Sequence, residues 1–576
     1  MKRLISILLV AFPMLTMAQG SLNVTVDSVG KLSKQIEESE RFKISELKIS
    51  GPLNSVDVKL LQQIVNRSKA KEKKGECVVT SVDISEVVFT DGKSATPTDK
   101  LPNGLFSGAK QLLNVVLPPN ITAISKSCFD GCQSLQSLTI PENVTKIENQ
   151  AFQGCESLAT IQIPKNVTSI GNEAFENCKS LTNVEIPENV TELGDQVFNG
   201  CKALQSVNIL GKVKKIDNST FKNCESLNSI SLPESIKSIG NDAFRDCKSL
   251  AAIQLPESVS ELGNSVFEDC QSLNQINLED IEKVGSNAFE DCKSLTSVTF
   301  NKLNKIGSGI FKNCTGLTTI LIQGTLDELD ANTFLGCTSL NNVSLPATIK
   351  NIGSSAFEKC SSLAEIELPT ALQKIGSSAF ENCSSLKQIS IPNMVKKIGS
   401  SAFKSCVSLD SVDINGFVEE INNSTFMKCS ALRAIKLPAS VRKIETKAFQ
   451  ECSLLQGIDF PAALQSVGDD AFEKCSSLKS IKLPVATTTI GSDAFYECTM
   501  LERVELPVAL KKIGGSAFAK CPSLREVIVN SPTPPSISKS TFKDVAGCTF
   551  LLPKGTKTIY MANKDWVKVY VLKEKE

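Results

Sequence analysis

Apolar residues recur along most of this chain with a period of 23. One unit, written from Phe129, reads FDGCQSLQSLTIPENVTKIENQA, with apolar positions at Phe129, Cys132, Leu135, Leu138, Ile140, Val144, Ile147 and Ala151. Leu138 and Ile140 alternate with Ser137 and Thr139, the period-2 pattern of a strand with one buried face. Pro141 ends that strand, since proline has no N–H to give to a ladder. Where the proline is missing, glycine often follows one place later, as at Gly211, Gly324 and Gly416. A second bend carries Gly171, Gly240, Gly353 and Gly376, which the pattern predicts at positive φ. Asp217, Asn422 and Glu445 fill the same bend in other units.

Cysteine marks the period from Cys132 to Cys521, at intervals of 23 residues with two of 22. A phenylalanine stands three before each of these cysteines and a leucine three after. No single unit can bury eight apolar side chains, so neighbouring units must roof one another, and a fixed period of this size predicts a stacked-repeat solenoid. An open stack exposes strand edges and core at both ends, so atypical capping segments are expected. Residues 19–100 fit the first, with strand-like runs at Ile44 to Ile49 and Val78 to Phe89 and a helix over Asp57 to Asn66. Residues 530–576 fit the second, with a strand at Thr549 to Leu552 and a helix over Gly555 to Trp566. Residues 101–529 are the repeats. Residues 1–18 read as an export signal: Lys2 and Arg3, the short apolar run Leu4 to Leu15, then Thr16-Met17-Ala18 before Gln19. That run is too short to span a bilayer, and no later run approaches the length of a membrane span.

The repeat resembles the leucine-rich repeat in Leu135-x-x-Leu138-x-Ile140-x-x-Asn143-Val144. Its full form, A-F-x-x-C-x-S-L-x-x-I-x-I-P-x-x-V-x-x-I-G, resembles the BspA-like class over roughly 101–529. The resemblance implies a curved solenoid: an arc of about twenty coils, a parallel β-sheet on the inner face, irregular or 3₁₀ turns on the outer face, and α/β caps. It also implies an exported or surface protein of Bacteroidetes-like bacteria, secreted or held at the cell surface and associated with adhesion, with the periplasm as the other destination.

Composition then removes several chemistries. The chain has no histidine, so a His-dependent zinc site, catalytic triad or imidazole base is impossible. Lys plus Arg and Asp plus Glu stand at 62 each, so no global charge directs the chain to nucleic acid. In an exported chain, 21 cysteines suggest a disulfide framework. These, however, sit inside the apolar pattern, and Ala109 fills the same slot in the first unit, so buried thiols are expected. One cysteine per unit gives a line of sulfurs where structural zinc needs clustered ligands, so no metal and no cofactor is expected. Cys77, Cys128 and Cys548 fall outside the row and are the better disulfide or free-thiol candidates. Carboxylates such as Glu268-Asp269 and Glu290-Asp291 recur with the repeat, as solvated turns do, and no phosphate loop or nucleophile elbow appears. A non-enzymatic protein is expected.

The units differ at their outward strand positions. In the first half these are Ser137/Thr139, Thr160/Gln162, Ser206/Asn208, Ser229/Ser231, Gln275/Asn277 and Ser297/Thr299, with Glu185 the only charge. The second half brings Glu365, Glu367, Ser390, Asp413, Lys436, Asp459, Lys482, Arg503 and Glu505. A solvated sheet whose charges pair across coils is one reading; two recognition zones is the other. The nine second-half residues are the candidate ligand-binding set. The expected partner is an extracellular protein, of host or bacterial surface. A glycan-binding module and a passive spacer are the alternatives.

Overall fold

The computed structural model describes residues 20–41, 43–66, 78–91, 96–569 and 571–576. The export signal and Cys77 lie outside the described residues. Two compact units divide the chain, residues 1–213 and 214–576.

The first unit opens with four strands paired in chain order and parallel: β1 (Ser21–Thr25), β2 (Glu46–Leu53), β3 (Ser81–Phe89) and β4 (Asn114–Val116). Of these, β1 carries little apolar signal and was not expected. Helix α1 (Leu32–Gln35) connects β1 to β2. Helix α2 (Ser55–Val65) starts where Asn54 caps it: the Asn54 side chain accepts from the N–H groups of Val56 and Asp57, and Asp57 reaches back to the Asn54 N–H. Asp57 is itself buried, where its carboxylate also accepts from Gly30 N–H at 2.6 Å and Leu32 N–H at 2.9 Å. One carboxylate thus ties α2 to the segment that leaves β1.

The coils follow. Each has three sides, and the strand side is only one of them. A second parallel ladder of two-residue strands runs beside it, in the first unit through Ala123–Ile124, Lys146–Ile147, Ser169–Ile170 and Glu192–Leu193. In the second unit it recurs over fourteen coils, from Lys215–Ile216 to Lys512–Ile513. The third side is built of turns: Cys132 N–H donates to Phe129 C=O at 3.0 Å and Leu135 N–H to Cys132 C=O at 3.1 Å. Alternate N–H groups there reach the next coil, as from Phe129 to Ala151 and from Gly131 to Gln153. Backbone donors on all three sides are therefore spent between coils, which is what holds a stack of short elements together.

The core is a set of ladders. In the second unit the repeat phenylalanines from Phe221 to Phe542 stack with centroids 5.1–5.7 Å apart and interplanar angles of 1–23°. In the first, Phe106 to Phe198 stack in the same way. Each ring is fully buried up to Phe518, contributing about 2–3 kcal/mol relative to exposure. The cysteine row is equally buried, and every described cysteine is a free thiol. Cys155 Sγ–H donates to Phe129 C=O at 3.1 Å and Cys383 Sγ–H to Phe357 C=O at 3.1 Å, so each sulfur faces the backbone of the preceding coil. Cys128 belongs to this core too. It fills the slot before Phe129 that Ala151 and Ala174 fill later, and is fully buried. Its place in the apolar pattern was hidden because no other unit puts cysteine there: alanine, valine or threonine fills it in most, with Leu105 and Ile310 in two.

One expectation about the bends is corrected. Gly171, Gly240, Gly353 and Gly376 do not have positive φ. They are required by close approach: a Cβ on Gly376 would lie 2.5 Å from Gly353 C and Ser354 N. The left-handed positions lie instead on the turn side, twice per coil, two residues before the phenylalanine (Ser127, φ 53°; Asp242, φ 53°) and just before the cysteine (Asn177, φ 58°; Asp246, φ 61°; Lys474, φ 59°). Glycine, asparagine and aspartate tolerate that region; lysine and glutamate do so at a cost.

At the C-terminal end the strand Thr549–Leu552 forms as expected, and a further strand, Val571–Glu574, pairs with it. The expected single helix is instead Lys557–Ala562 followed by a 3₁₀ turn at Trp566–Lys568. Tyr560 and Trp566 are fully buried against each other and against the proline-rich segment: Tyr560 OH donates to Ser531 C=O at 2.8 Å and Trp566 Nε1–H to Pro535 C=O at 2.7 Å. The segment NSPTPPS interrupts the repeat because its carbonyls receive these two side chains.

Candidate binding face

The candidate residues stand on the strand side of the second unit. Strands Gln388–Ile391, Ser411–Ile414, Ala434–Lys436 and Gly457–Asp459 form one parallel sheet, and Ser480–Lys482, Arg503–Leu506, Glu526–Val529, Thr549–Leu552 and Val571–Glu574 form another. Their register is set by the buried residues between, such as Ile389, Val412 and Ile435. A one-residue slip would bring charges into the core. Register places Ser390 opposite Asp413, Asp413 opposite Lys436, Lys436 opposite Asp459, and Lys482 opposite Glu505.

Eight of the nine candidates are exposed and Glu505 is half-buried. Charges of opposite sign sit in register, yet only some of them pair. Lys482 Nζ lies 3.3 Å from Glu505, and Arg503 Nε 3.0 Å from Glu526. Asp413, Lys436 and Asp459 make no ion pair within 4 Å among the described residues, and alternate in sign as solvated groups. Two neighbouring coils of the first unit behave differently: Ser206 Oγ donates to Asn183 Oδ1 at 2.6 Å and Asn208 Nδ2 to Glu185 Oε2 at 3.3 Å, so these four polar groups satisfy one another.

Glu365 and Glu367 lie outside any ladder strand. The ladder strands Asn342–Ser344 and Gln388–Ile391 belong to different sheets, and the intervening residues pair with neither. A depression of about 590 Å³ opens there, lined by Asn342, Glu365, Ile366, Glu367, Ser390 and Asp413 among others. Three carboxylates and no basic side chain line it. The structure thus gathers Glu365, Glu367, Ser390 and Asp413 around one hollow, and leaves Lys436, Asp459, Lys482, Arg503 and Glu505 along the flat sheet beyond. Among the described residues no group of three His, Cys, Asp or Glu side chains is arranged to hold a metal ion.

One exposed apolar feature was missed. Phe417 is 65 % exposed, the one exposed phenylalanine among the described residues, and Met394 holds the same place one coil earlier at 49 %. Both sit in the bend that leaves the strand. A groove of about 470 Å³ beside Phe417 is lined by Lys396, Lys397, Glu419, Glu420 and Asn422. The signal was available: Phe417 is out of phase with the phenylalanine ladder, in a slot that holds Ser440 or Ala463 in later coils.

The three-sided coils, the ladders of Phe, Cys, Leu and Ile and the parallel strand side define a leucine-rich repeat solenoid. More narrowly, the chain belongs to the BspA type leucine rich repeat family, whose six-copy region profile matches residues 99–228, 214–341, 304–433 and 419–549. A leucine-rich repeat protein from Bacteroides ovatus ATCC 8483 is 26% identical over 77% of this chain and 94% of its own, with a TM-score of 0.46. A leucine rich cell surface protein from Faecalibacterium prausnitzii A2-165 is 23% identical over 68% and 87%, with a TM-score of 0.29. A leucine-rich repeat protein from Eubacterium ventriosum ATCC 27560 is 19% identical over 62% and 83%, with a TM-score of 0.31. Among curated proteins, none matches this chain. No helix of the described residues is long and apolar enough to cross a membrane.

Proposed function

We propose that this chain is an exported, non-enzymatic protein of the bacterial cell surface that binds an extracellular protein through the strand face of its second unit. Family membership supports a binding or adhesion role in general terms. The observation that carries the choice of face is the row Asp413, Lys436 and Asp459, exposed, in register and unpaired. Charges that neither pair nor support the fold are free to pair with a partner of opposite pattern, and they steer it into register. The acidic depression at Glu365 and Glu367 adjoins the row and gives the face a concave part.

The test sets an array of purified extracellular proteins against a glycan array, using the wild-type chain and the K436E/K482E variant. Binding is expected on the protein array and is expected to fall at least tenfold in the variant. Both changes are at exposed positions, so thermal stability should move by less than about 1 kcal/mol. Binding confined to glycans, or protein binding that the variant leaves intact, would overturn the assignment.

A further inference from the structure

The bend that leaves each strand changes character along the molecule. In the first unit it is polar and clasped: Asn143, Asn166 and Asn189 donate to the carbonyls of Pro119, Glu142 and Lys165. In the second unit the same bend carries an exposed apolar residue in six consecutive coils, at one slot for Met394 and Phe417 and at the slot just before it for the four that follow. Met394 and Phe417 come first, then Ala439 and Ala462, then Val485 at 70 % exposure and Val508 at 51 %. These side chains face solvent and add nothing to the core, and six in a row are more than scattered surface hydrophobes amount to.

This ridge runs beside the charged row. Asp413 and Phe417 lie four residues apart, and from the next coil on the offset is three: Lys436 with Ala439, Asp459 with Ala462, Lys482 with Val485. An apolar strip thus borders a strip of alternating charge, both advancing one coil at a time. Strand neighbours repeat about every 4.8 Å, so the two coil intervals from Asp413 to Asp459 span about 10 Å. Two turns of an α-helix span about 11 Å, a mismatch that long Lys and Glu side chains absorb. An extended segment laid the same way would present same-face residues about every 6.7 Å and run out of step by about 4 Å over the same two intervals.

We propose that the strip joining Asp413, Lys436 and Asp459 to Phe417, Ala439 and Ala462 docks one amphipathic α-helix of a protein partner. That helix carries basic, acidic and basic residues at successive turns and an apolar stripe beside them, the helix-on-surface mode of recognition. Phe417 is its aromatic anchor, seated beside the groove that Lys396, Lys397, Glu419 and Glu420 line. The inference rests on the strand-face reading and narrows it to a partner geometry.

The probe is a synthetic 20-residue helical peptide with Lys, Glu and Lys at positions i, i+4 and i+7 and leucines on the adjoining stripe. Its comparator has Glu, Lys and Glu at those positions. Fluorescence anisotropy with the full chain should show the first bound at least tenfold more tightly at low salt, with the preference shrinking as salt rises. The D413K/K436E/D459K variant should reverse the preference, and F417A should weaken both peptides about tenfold without altering far-ultraviolet circular dichroism. Equal binding of the two peptides, or a preference that the triple variant leaves unmoved, overturns the helix assignment. If the protein array still loses binding in K436E/K482E while the peptides do not discriminate, the face stands and the helix falls. Array binding untouched by that variant removes the face itself.

Discussion

Raising the pH should unfold this solenoid through its thiols. The cysteines from Cys247 to Cys521 are fully buried, and burial raises every one of those thiols above the ordinary range, to about 12 at Cys406 and Cys521. In the unfolded chain a thiol ionises near pH 8.5. Above that value the unfolded state has released a proton that the folded state still holds, so stability falls as pH rises, by about 1.4 kcal/mol per pH unit for each thiol. The loss begins near the unfolded value and ends only at the folded one. Each coil carries one such thiol. A coil of 23 residues, at about 0.05–0.15 kcal/mol per residue, contributes about 1–3.5 kcal/mol to net stability. Thiol ionisation matches that between about pH 9.5 and 11. The expected result is one cooperative step in that window, in reductant, in which thiolate absorbance rises together with loss of the circular dichroism of the folded chain. At neutral pH a thiol reagent should find few reactive groups before denaturation and the whole ladder after it, without reductant. Thiolate appearing gradually around pH 8.5 with the dichroism intact would refute the reasoning, because the sulfurs would then be in contact with water. So would a fold that persists past the top of the window.

Two further outcomes test the backbone argument. Gly376→Ala puts a Cβ 2.5 Å from the backbone of the preceding coil and should cost about 1–3 kcal/mol in denaturant unfolding, whereas Glu445→Ala, at the same bend three coils later where a side chain is already accommodated, should change stability by less than about 0.5 kcal/mol. Lys474→Gly relieves a left-handed lysine (φ 59°) and should raise stability by about 0.5–1 kcal/mol, the strain relieved exceeding the entropy glycine loses.

The period and its apolar positions were legible because stacking makes one coil's requirement the next coil's too: Phe129, Cys132, Leu135 and Ile140 recur since each is roofed by its own equivalent. What lacked that redundancy was hidden. The two-residue strands such as Lys374–Ile375 and Lys397–Ile398 bury one side chain each, too little for an alternation to register. The left-handed site before each cysteine holds glycine, asparagine or aspartate in many coils but Lys474 and Glu497 in others, so composition blurred a constraint that is geometric. On the candidate face the outward residues are solvent-facing as the period-2 pattern predicts, yet their pairing was not readable. Lys482 and Glu505 meet at 3.3 Å while Asp413 and Lys436, equally in register, do not, because long side chains on a solvated sheet choose among rotamers by small differences. The break in the strand ladder at Glu365–Glu367 left no trace in the apolar pattern, since Ile366 keeps its period.

Because every coil repeats the same core, stability is close to a sum over coils and their interfaces. The outward residues of a strand do not enter that sum, nor does most of the bend after it. Asn183 with Ser206 and Asp413 with Lys436 can therefore sit on identical scaffolding, one pair spent on an internal hydrogen bond and the other left to solvent. A pair that satisfies itself, such as Asn183 with Ser206, has little to offer a partner. A face that leaves Asp413, Lys436 and Asp459 unpaired beside an exposed phenylalanine forgoes small stabilising terms at several successive coils, and no requirement of the fold explains that choice. The partner proposed above explains it, which is why the search for a ligand belongs on the coils from Met394 to Val508 before any other part of the solenoid.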